Sequence, residues 1–360
     1  MDWETLVNRR DLLKCMAIPA AGAVVNAVAR PLFAAEPVLG PATERTPALA
    51  AFEKLRFGCC YHFSVDTFVD NGEYKVGAAP ASLYKPTNLD VRQWIRVARD
   101  LGARYAVITA KFWSGFCLWD SKGYDYDVAA TSNKTDVVAA FVDACKEYGL
   151  RPGFYYCIMD PRNEGKFDWD APISDSYYQL IRQHIRELHS TYPNTFYQLF
   201  DIPWKASLEQ RWDLYRLVKS YSPNCIIVNN QGFKQSRVNQ GRFCEPGSWG
   251  TDVINGEDTL PPLEGHDPRV VYEKKTWYMP FETWLPTGPQ LPSMPWMHSW
   301  VWHPYYKPQP AEVIAQAYRL VMQANSNLLL NMAPDKTGRI PDDQVETFRR
   351  VAELIKSQAC

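Results

Sequence analysis

Apolar residues recur along this chain at two spacings, and the alternation between them predicts an architecture. Short runs dense in β-branched, aromatic and aliphatic residues fall at 55–63, 104–110, 151–158, 195–201, 224–229 and 327–331, and read as buried strands. Between and after them, apolar positions recur every three or four residues over 90–101, 136–148, 177–192, 208–221, 311–323 and 342–356, as on one face of a helix. In the first of these, Val91, Trp94, Ile95, Ala98 and Leu101 make the stripe, with Asp90 placed to cap it and Gly102 to stop it. The second carries Val138, Phe141, Val142, Cys145 and Tyr148 before Gly149. The third carries Tyr178, Ile181, Ile185, Leu188 and Tyr192; His184 and His189, five positions apart on it, are expected on the surface.

Strands alternating with helices predict a parallel sheet with crossover helices. The economical form is α/β, a TIM-like (β/α)8 barrel that is irregular over 230–305, where Gly, Pro and Trp break the pattern and two further strands must lie. A doubly wound open sheet is disfavoured, since no Gly-rich dinucleotide turn follows the first strand. Residues 1–35 depart from the pattern. Arg9-Arg10, then Leu12-Leu13-Lys14, precede a weakly apolar stretch and Phe33-Ala34-Ala35, which resembles a twin-arginine export signal. The expected organisation is a signal over 1–35, a proline-bearing linker over 36–50 and a catalytic barrel over 51–360. A C-terminal β-sandwich is not expected, as the chain ends at Cys360 after the last helix.

Charge adds exclusions. With 39 basic and 40 acidic residues, nothing suggests nucleic acid or, after signal cleavage, a membrane surface. Aromatic residues reach 14%, with 13 Trp and 20 Tyr, more than a core needs and suited to the flat faces of sugar rings. Eight cysteines follow residue 35 without a CxxC spacing, and most of them read as small core residues.

The predicted strands end on polar or aromatic residues: Tyr61-His62, Lys111-Phe112-Trp113, Asp160, Asp201, Asn229-Asn230 and Asn331. In a parallel barrel these ends face the active site. Asp201 is the sharpest case. It closes the run Phe196-Tyr-Gln-Leu-Phe200, and Pro203 cannot continue the ladder. No HxH, HExxH or GxSxG occurs, so no metal or cofactor is implied. Carboxylates remain. Asp201 with a partner glutamate supplies the nucleophile and general acid of glycoside hydrolysis. Glu245, Glu257, Glu273 and Glu282 are the candidates. Glu282, between the aromatics of Pro280-Phe-Glu-Thr-Trp284, is the preferred one, because burial there raises its pKa; Glu257 is the second choice.

At this point the chain resembles glycoside hydrolase family 29, the retaining α-L-fucosidases, from Phe57 to about Ile355. The resemblance rests on Phe57-Gly-Cys-Cys-Tyr-His62, on Ala98 to Lys111 with Gly115-Phe-Cys-Leu-Trp-Asp-Ser121, on Phe200-Asp201, on Pro280-Phe-Glu282-Thr, and on Asn327-Leu-Leu-Leu-Asn-Met-Ala-Pro334 with Gly338-Arg-Ile-Pro341. Members usually carry Lys-His-His-Asp-Gly-Phe where this chain has Lys111-Phe-Trp-Ser-Gly-Phe116, and Gly where it has Ile202. The resemblance implies an exo-glycosidase acting on terminal α-L-fucosyl residues of an oligosaccharide or glycoconjugate through a glycosyl-enzyme intermediate. It assigns Asp201 as nucleophile and Glu282, or else Glu257, as acid/base. It implies a pocket lined by His62, Lys111, Trp113, Trp119 and Tyr156, and export makes the protein periplasmic or secreted. The alternatives are a barrel that binds glycan without cleaving it, and a glycosidase for another sugar. A carboxylate facing Asp201 across the pocket separates enzyme from binder.

Overall fold

The computed structural model describes residues 42–69, 74–230, 250–262, 264–272, 274–291 and 294–357. The export-signal expectation, Glu245 and Glu273 lie outside these residues. In chain order the elements are α1 (Pro47–Leu55), β1 (Phe57–Tyr61), α2 (Val91–Leu101), β2 (Tyr105–Lys111), α3 (Val137–Tyr148), β3 (Arg151–Cys157), α4 (Pro161–Glu164), α5 (Asp175–Thr191), β4 (Tyr197–Asp201), α6 (Leu208–Tyr221) and β5 (Ile226–Asn229). Then come β6 (Ile254–Glu257), β7 (Arg269–Tyr272), β8 (Lys275–Tyr278), β9 (Phe281–Leu285), β10 (Gln290–Leu291), β11 (Met294–His298), α7 (Ala311–Gln323), β12 (Asn327–Met332) and α8 (Asp342–Lys356).

Eight strands form one parallel sheet in the order β5-β4-β3-β2-β1-β12-β9-β6, and the sheet curls into a nearly closed (β/α)8 barrel. The two strands expected within 230–305 are β6 and β9. Between β5 and β6 no regular ladder forms. One backbone bond, from the Asp252 amide to the Ile227 carbonyl (2.7 Å), and two side chains bridge that seam: Asp252 Oδ2 accepts from the Ile227 amide (2.9 Å), and Thr251 Oγ1 accepts from the Asn229 amide (3.2 Å). The irregular third also adds two small antiparallel ribbons, β7 with β8 and β10 with β11.

The helix signals read from sequence operate as expected. Asp90 accepts from the Gln93 amide and Asp136 from the Ala139 amide, each satisfying a donor at a helix start. Gly102 ends α2 at φ 106°, where a Cβ would be strained. Side-chain parity along the strands then divides the core in two. Cys59, Tyr61, Ile108, Phe154 and Tyr156 face outward to the helices; Cys60, Tyr105, Val107, Tyr155 and Tyr197 face the barrel interior. Cys59, Cys60, Cys117, Cys145, Cys157 and Cys225 are all buried free thiols, the role read for them.

Two expectations need correction. Residues 47–50, read as linker, form the first turn of α1, whose start is capped by the Thr46 hydroxyl. Leu49 and Phe52 on α1 are buried, and Phe52 packs on Tyr105 and Tyr197, so this helix plugs the N-terminal end of the barrel. His184 and His189 are not surface residues but fully buried. The face of α5 turned to the barrel includes Ile181, His184, Ile185, Leu188 and His189; a stripe of that width takes in both histidines. Tyr156 and Gln198 hydrogen-bond them, and burial depresses their pKa values to about 3 and about 4, so both are neutral.

Candidate active site

Four residues meet at the C-terminal end of the barrel. Asp201 ends β4, Asn230 directly follows β5, Glu257 ends β6 and Tyr155 lies on β3. The Asn230 amide group donates from Nδ2 to Asp201 Oδ1 and to Glu257 Oε2, each at 2.7 Å. Its two hydrogens are thereby divided between two carboxyl groups on different strands. The two oxygens can be no farther apart than those two bonds laid end to end. That ceiling falls inside the roughly 5–5.5 Å spacing of retaining glycosidases and short of the roughly 6.5–9.5 Å of inverting ones.

Asp201 keeps partial access to solvent and accepts further hydrogen bonds from the Tyr155 hydroxyl and the Ile202 amide. Burial raises its pKa, and the three donors act against that rise by favouring the anion. Ile202 sits at φ 51°, ψ 46°, a left-handed conformation that costs a β-branched residue on the order of 1–2 kcal/mol. Its side chain is 4% exposed, and that burial offsets the strain. The left-handed turn directs the chain away from the strand immediately after Asp201.

The interior wall of this end is aromatic. His62, 2% exposed, stacks on Trp284 (centroids 5.6 Å, 24° between planes) and lies against Phe112, Tyr155 and Trp300. Asn331 Nδ2 donates to the Trp300 carbonyl, which leaves Asn331 Oδ1 to accept from His62 Nδ1 at 2.7 Å. Burial pushes the His62 pKa down to about 4, so the ring is neutral. With the proton on Nδ1, its Nε2 is a hydrogen-bond acceptor.

Of the residues read from sequence, His62, Asp201 and Glu257 come together at this end of the barrel. Trp113 follows the end of β2, half-buried and packed on Phe112. Glu282, the preferred acid/base, does not reach this end. Its side chain faces the interior, but from the N-terminal end of β9, in register with Asn327 at the start of β12; Trp284, two residues on, is the one level with Glu257. Tyr105 Oη donates to Glu282 Oε1 at 2.6 Å and Tyr197 to Oε2. Tyr197 begins β4, four residues or about 13 Å before Asp201. Glu282 is fully enclosed, and burial lifts its pKa to about 7 against the two tyrosine donors.

Lys111, Trp119 and Tyr156 also miss the pocket. A register shift at Thr109/Lys111 turns Lys111 outward, where its ammonium bonds the Cys157 carbonyl, Tyr177 and buried Asp160. Trp119 donates to Glu187 on α5, and Tyr156 bonds His184. Parity decides the last case: adjacent strand residues point to opposite faces, so Tyr155 takes the place expected of Tyr156. Asn230 was marked as a strand end but given no role, and Tyr155, Trp284 and Trp300 were not read as site residues; Tyr155 is the neighbour of Tyr156, which the resemblance had placed in the pocket. Among the described residues no group of His, Cys, Asp and Glu is arranged to hold a metal ion, and no helix is long and apolar enough to cross a membrane.

A parallel barrel with two carboxyl groups at neighbouring strand ends beside an aromatic wall is the arrangement that glycoside hydrolysis calls for. Residues 52–359 match the alpha-L-fucosidase family model, and the chain belongs to that family. It is 24% identical to Alpha-L-fucosidase 1 of Arabidopsis thaliana over 300 residues, covering 82% of this chain and 57% of that protein. It is 26% identical to Putative alpha-L-fucosidase 1 of rice, Oryza sativa subsp. japonica, over 305 residues, covering 81% and 55%. The chain thus spans a little over half the length of these relatives. Among solved structures, Alpha-L-fucosidase isoenzyme 1 from Paenibacillus thiaminolyticus superposes with a TM-score of 0.69 at 23% identity, over 87% of this chain and 76% of that one. A trapped covalent intermediate of a family 29 alpha-L-fucosidase from Bacteroides thetaiotaomicron superposes at 0.67 and 21% identity, over 89% and 76%. These likenesses establish the shared barrel.

Proposed function

We propose that the protein is a retaining exo-glycosidase that removes terminal α-L-fucosyl residues from glycans, with Asp201 as nucleophile and Glu257 as acid/base. The observation that carries this reading is the single Asn230 amide bonded to both carboxyl groups. Asp201, held by Tyr155, Asn230 and the Ile202 amide, attacks the anomeric carbon and forms a glycosyl ester as the leaving oxygen takes a proton from Glu257. Glu257 then removes a proton from the water that cleaves the ester. Two carboxylates this close repel, which favours one retained proton on the free enzyme. The trapped covalent intermediate of the Bacteroides protein, obtained with a Glu-to-Gln variant, supports the same two-step chemistry by analogy. A carboxyl group beside Asp201 weighs against a barrel that only binds.

The test is hydrolysis of 4-nitrophenyl α-L-fucoside, together with intact-mass detection of a 2-fluoro-fucosyl adduct. Wild type is expected to turn over and label, and Asp201→Asn to do neither. Wild-type protein that cleaves other aryl glycosides but not the fucoside would assign the site to another sugar. We further propose export by the twin-arginine route. A fusion of residues 1–50 to a reporter should reach the periplasm of a bacterial host, and Arg9→Lys with Arg10→Lys should hold it in the cytoplasm.

A further inference from the structure

Beyond the pocket mouth, large apolar rings stand in solvent. Phe167 is 42% and Trp169 36% exposed, two of the six large hydrophobic side chains that are exposed among the described residues. They form a continuous group with Trp113 and Trp204. Trp113 meets Phe167 at 6.0 Å and Trp169 at 6.4 Å, while Trp169 and Trp204 lie 6.4 Å apart with planes within 26°. Through Trp113 and Phe112 the group runs without a break to His62 inside the pocket. Trp204 is also three residues past Asp201 in sequence.

The rings are held, not trailing. Lys205, 2% exposed, donates to the carbonyls of Asp168 (2.7 Å) and Ala171 (2.6 Å) and pairs with Glu164 (2.9 Å). Trp204 Nε1 donates to the Trp169 carbonyl at 2.9 Å, and Asp168 Oδ1 accepts from the amides of Asp170 and Ala171. Burying a lysine is costly unless its ammonium is paired and hydrogen-bonded, and here two carbonyls and a carboxylate of the 164–171 segment do so. The outcome is an aromatic face whose ordering entropy is already spent before any ligand arrives.

Resting on the fucosidase reading above, we infer that Phe167, Trp169 and Trp204 form a subsite for the leaving-group glycan, stacking on the C–H face of a β-linked pyranose beyond the scissile bond. Continuity with the pocket selects this occupant. Trp113 joins the two, so a glycan that leaves the Asp201 site on this side meets this face with its next ring. Flat amphipathic rings favour a partner that is apolar on one face and hydroxylated at its rim. The loop makes the enzyme one for fucosylated oligosaccharides and not for fucosides of small alcohols.

Two measurements test this on the full-length protein. The first is the ratio of kcat/KM on fucosyl-N-acetyllactosamine to that on 4-nitrophenyl α-L-fucoside. This ratio should fall about five- to ten-fold in Trp169→Ala and in Phe167→Ala, the size expected for losing one stacked ring. The second is calorimetric binding of N-acetyllactosamine, which carries no fucose; it should weaken by a similar factor in Trp169→Ala. Trp204→Phe keeps the ring but drops the N–H to Trp169, and should retain most of the ratio if stacking, not loop fastening, is what matters. If the enzyme cleaves fucosides with an unchanged ratio in both Ala variants, the subsite is wrong and the fucosidase reading stands. If wild type cleaves no fucoside but binds N-acetyllactosamine through Trp169, the subsite stands and the fucosidase reading falls. Equal N-acetyllactosamine binding by wild type and Trp169→Ala overturns the subsite in either case.

Discussion

The barrel encloses carboxyl groups at both ends, and they are treated differently. At the N-terminal end Glu282 is sealed under α1, with one tyrosine hydroxyl on each oxygen. At the C-terminal end Asp201 and Glu257 share one asparagine, and Asp201 stays open to the pocket. The better-buried carboxyl, with its pKa near 7, looks by titration alone like the general acid. It has no path to a substrate. In a parallel barrel, height along the strand decides between a structural and a chemical carboxyl, because loops at the C-terminal end form the pocket while the N-terminal end closes.

Mutations at each end should break or sharpen this contrast. The largest effect is expected for Asp201→Asn, which should lower kcat by at least about 10³-fold and abolish 2-fluoro-fucosyl labelling, with little change in melting temperature. Glu257→Gln should cost roughly 10²–10⁴-fold on glycans with poor leaving groups and much less on 4-nitrophenyl fucoside, which needs little protonation on leaving. A uniform loss on both substrates would remove Glu257 as the acid.

Glu282→Gln should leave turnover within a few-fold of wild type and act on stability instead. Its folded pKa of about 7 lies above the unfolded value of 4.5, so its neutral form stabilises the fold fully below pH 4.5. That contribution is lost as pH rises through 7 and amounts to on the order of 3 kcal/mol. Denaturant titrations from pH 4.5 to 8 should show this decline in wild type relative to Glu282→Gln; parallel curves would mean that the carboxyl is not held as described. The smallest effect in free energy is expected for Tyr155→Phe. Removing one donor from the Asp201 anion should cut kcat about ten-fold and shift the acidic limb of the rate profile to higher pH, because the carboxylate then protonates more easily. An unshifted limb would assign that limb to another group.

The buried histidines carry the opposite sign. His62, His184 and His189 have depressed pKa values, so the stability they contribute is present above about pH 6.5 and lost as pH falls toward 4. Glu282 gains over part of the range in which they lose, which flattens the acid side of the stability profile.

Much was legible in the amino-acid order. Periodicity, caps and stop glycines located the six strands and six of the eight described helices outside the irregular third, and a Pro two residues after a buried run marked Asp201 as a strand end. These are local signals, written within a few residues of where they act. The order of residues also marked Glu282 as buried, with a raised pKa. It did not carry three-dimensional facts. Whether Glu282 or Trp284 stands level with Asp201 depends on where β9 starts in the barrel, which is set by pairing with β6 and β12 from distant parts of the chain. Whether Lys111 turns in or out depends on a one-residue register shift against β3. Whether Asn230 touches two carboxyl groups depends on β4, β5 and β6 closing side by side. Sequence alone determined which residues could do the chemistry; closure of the sheet decided which of them meet, because register and height are properties of pairing and not of any single strand.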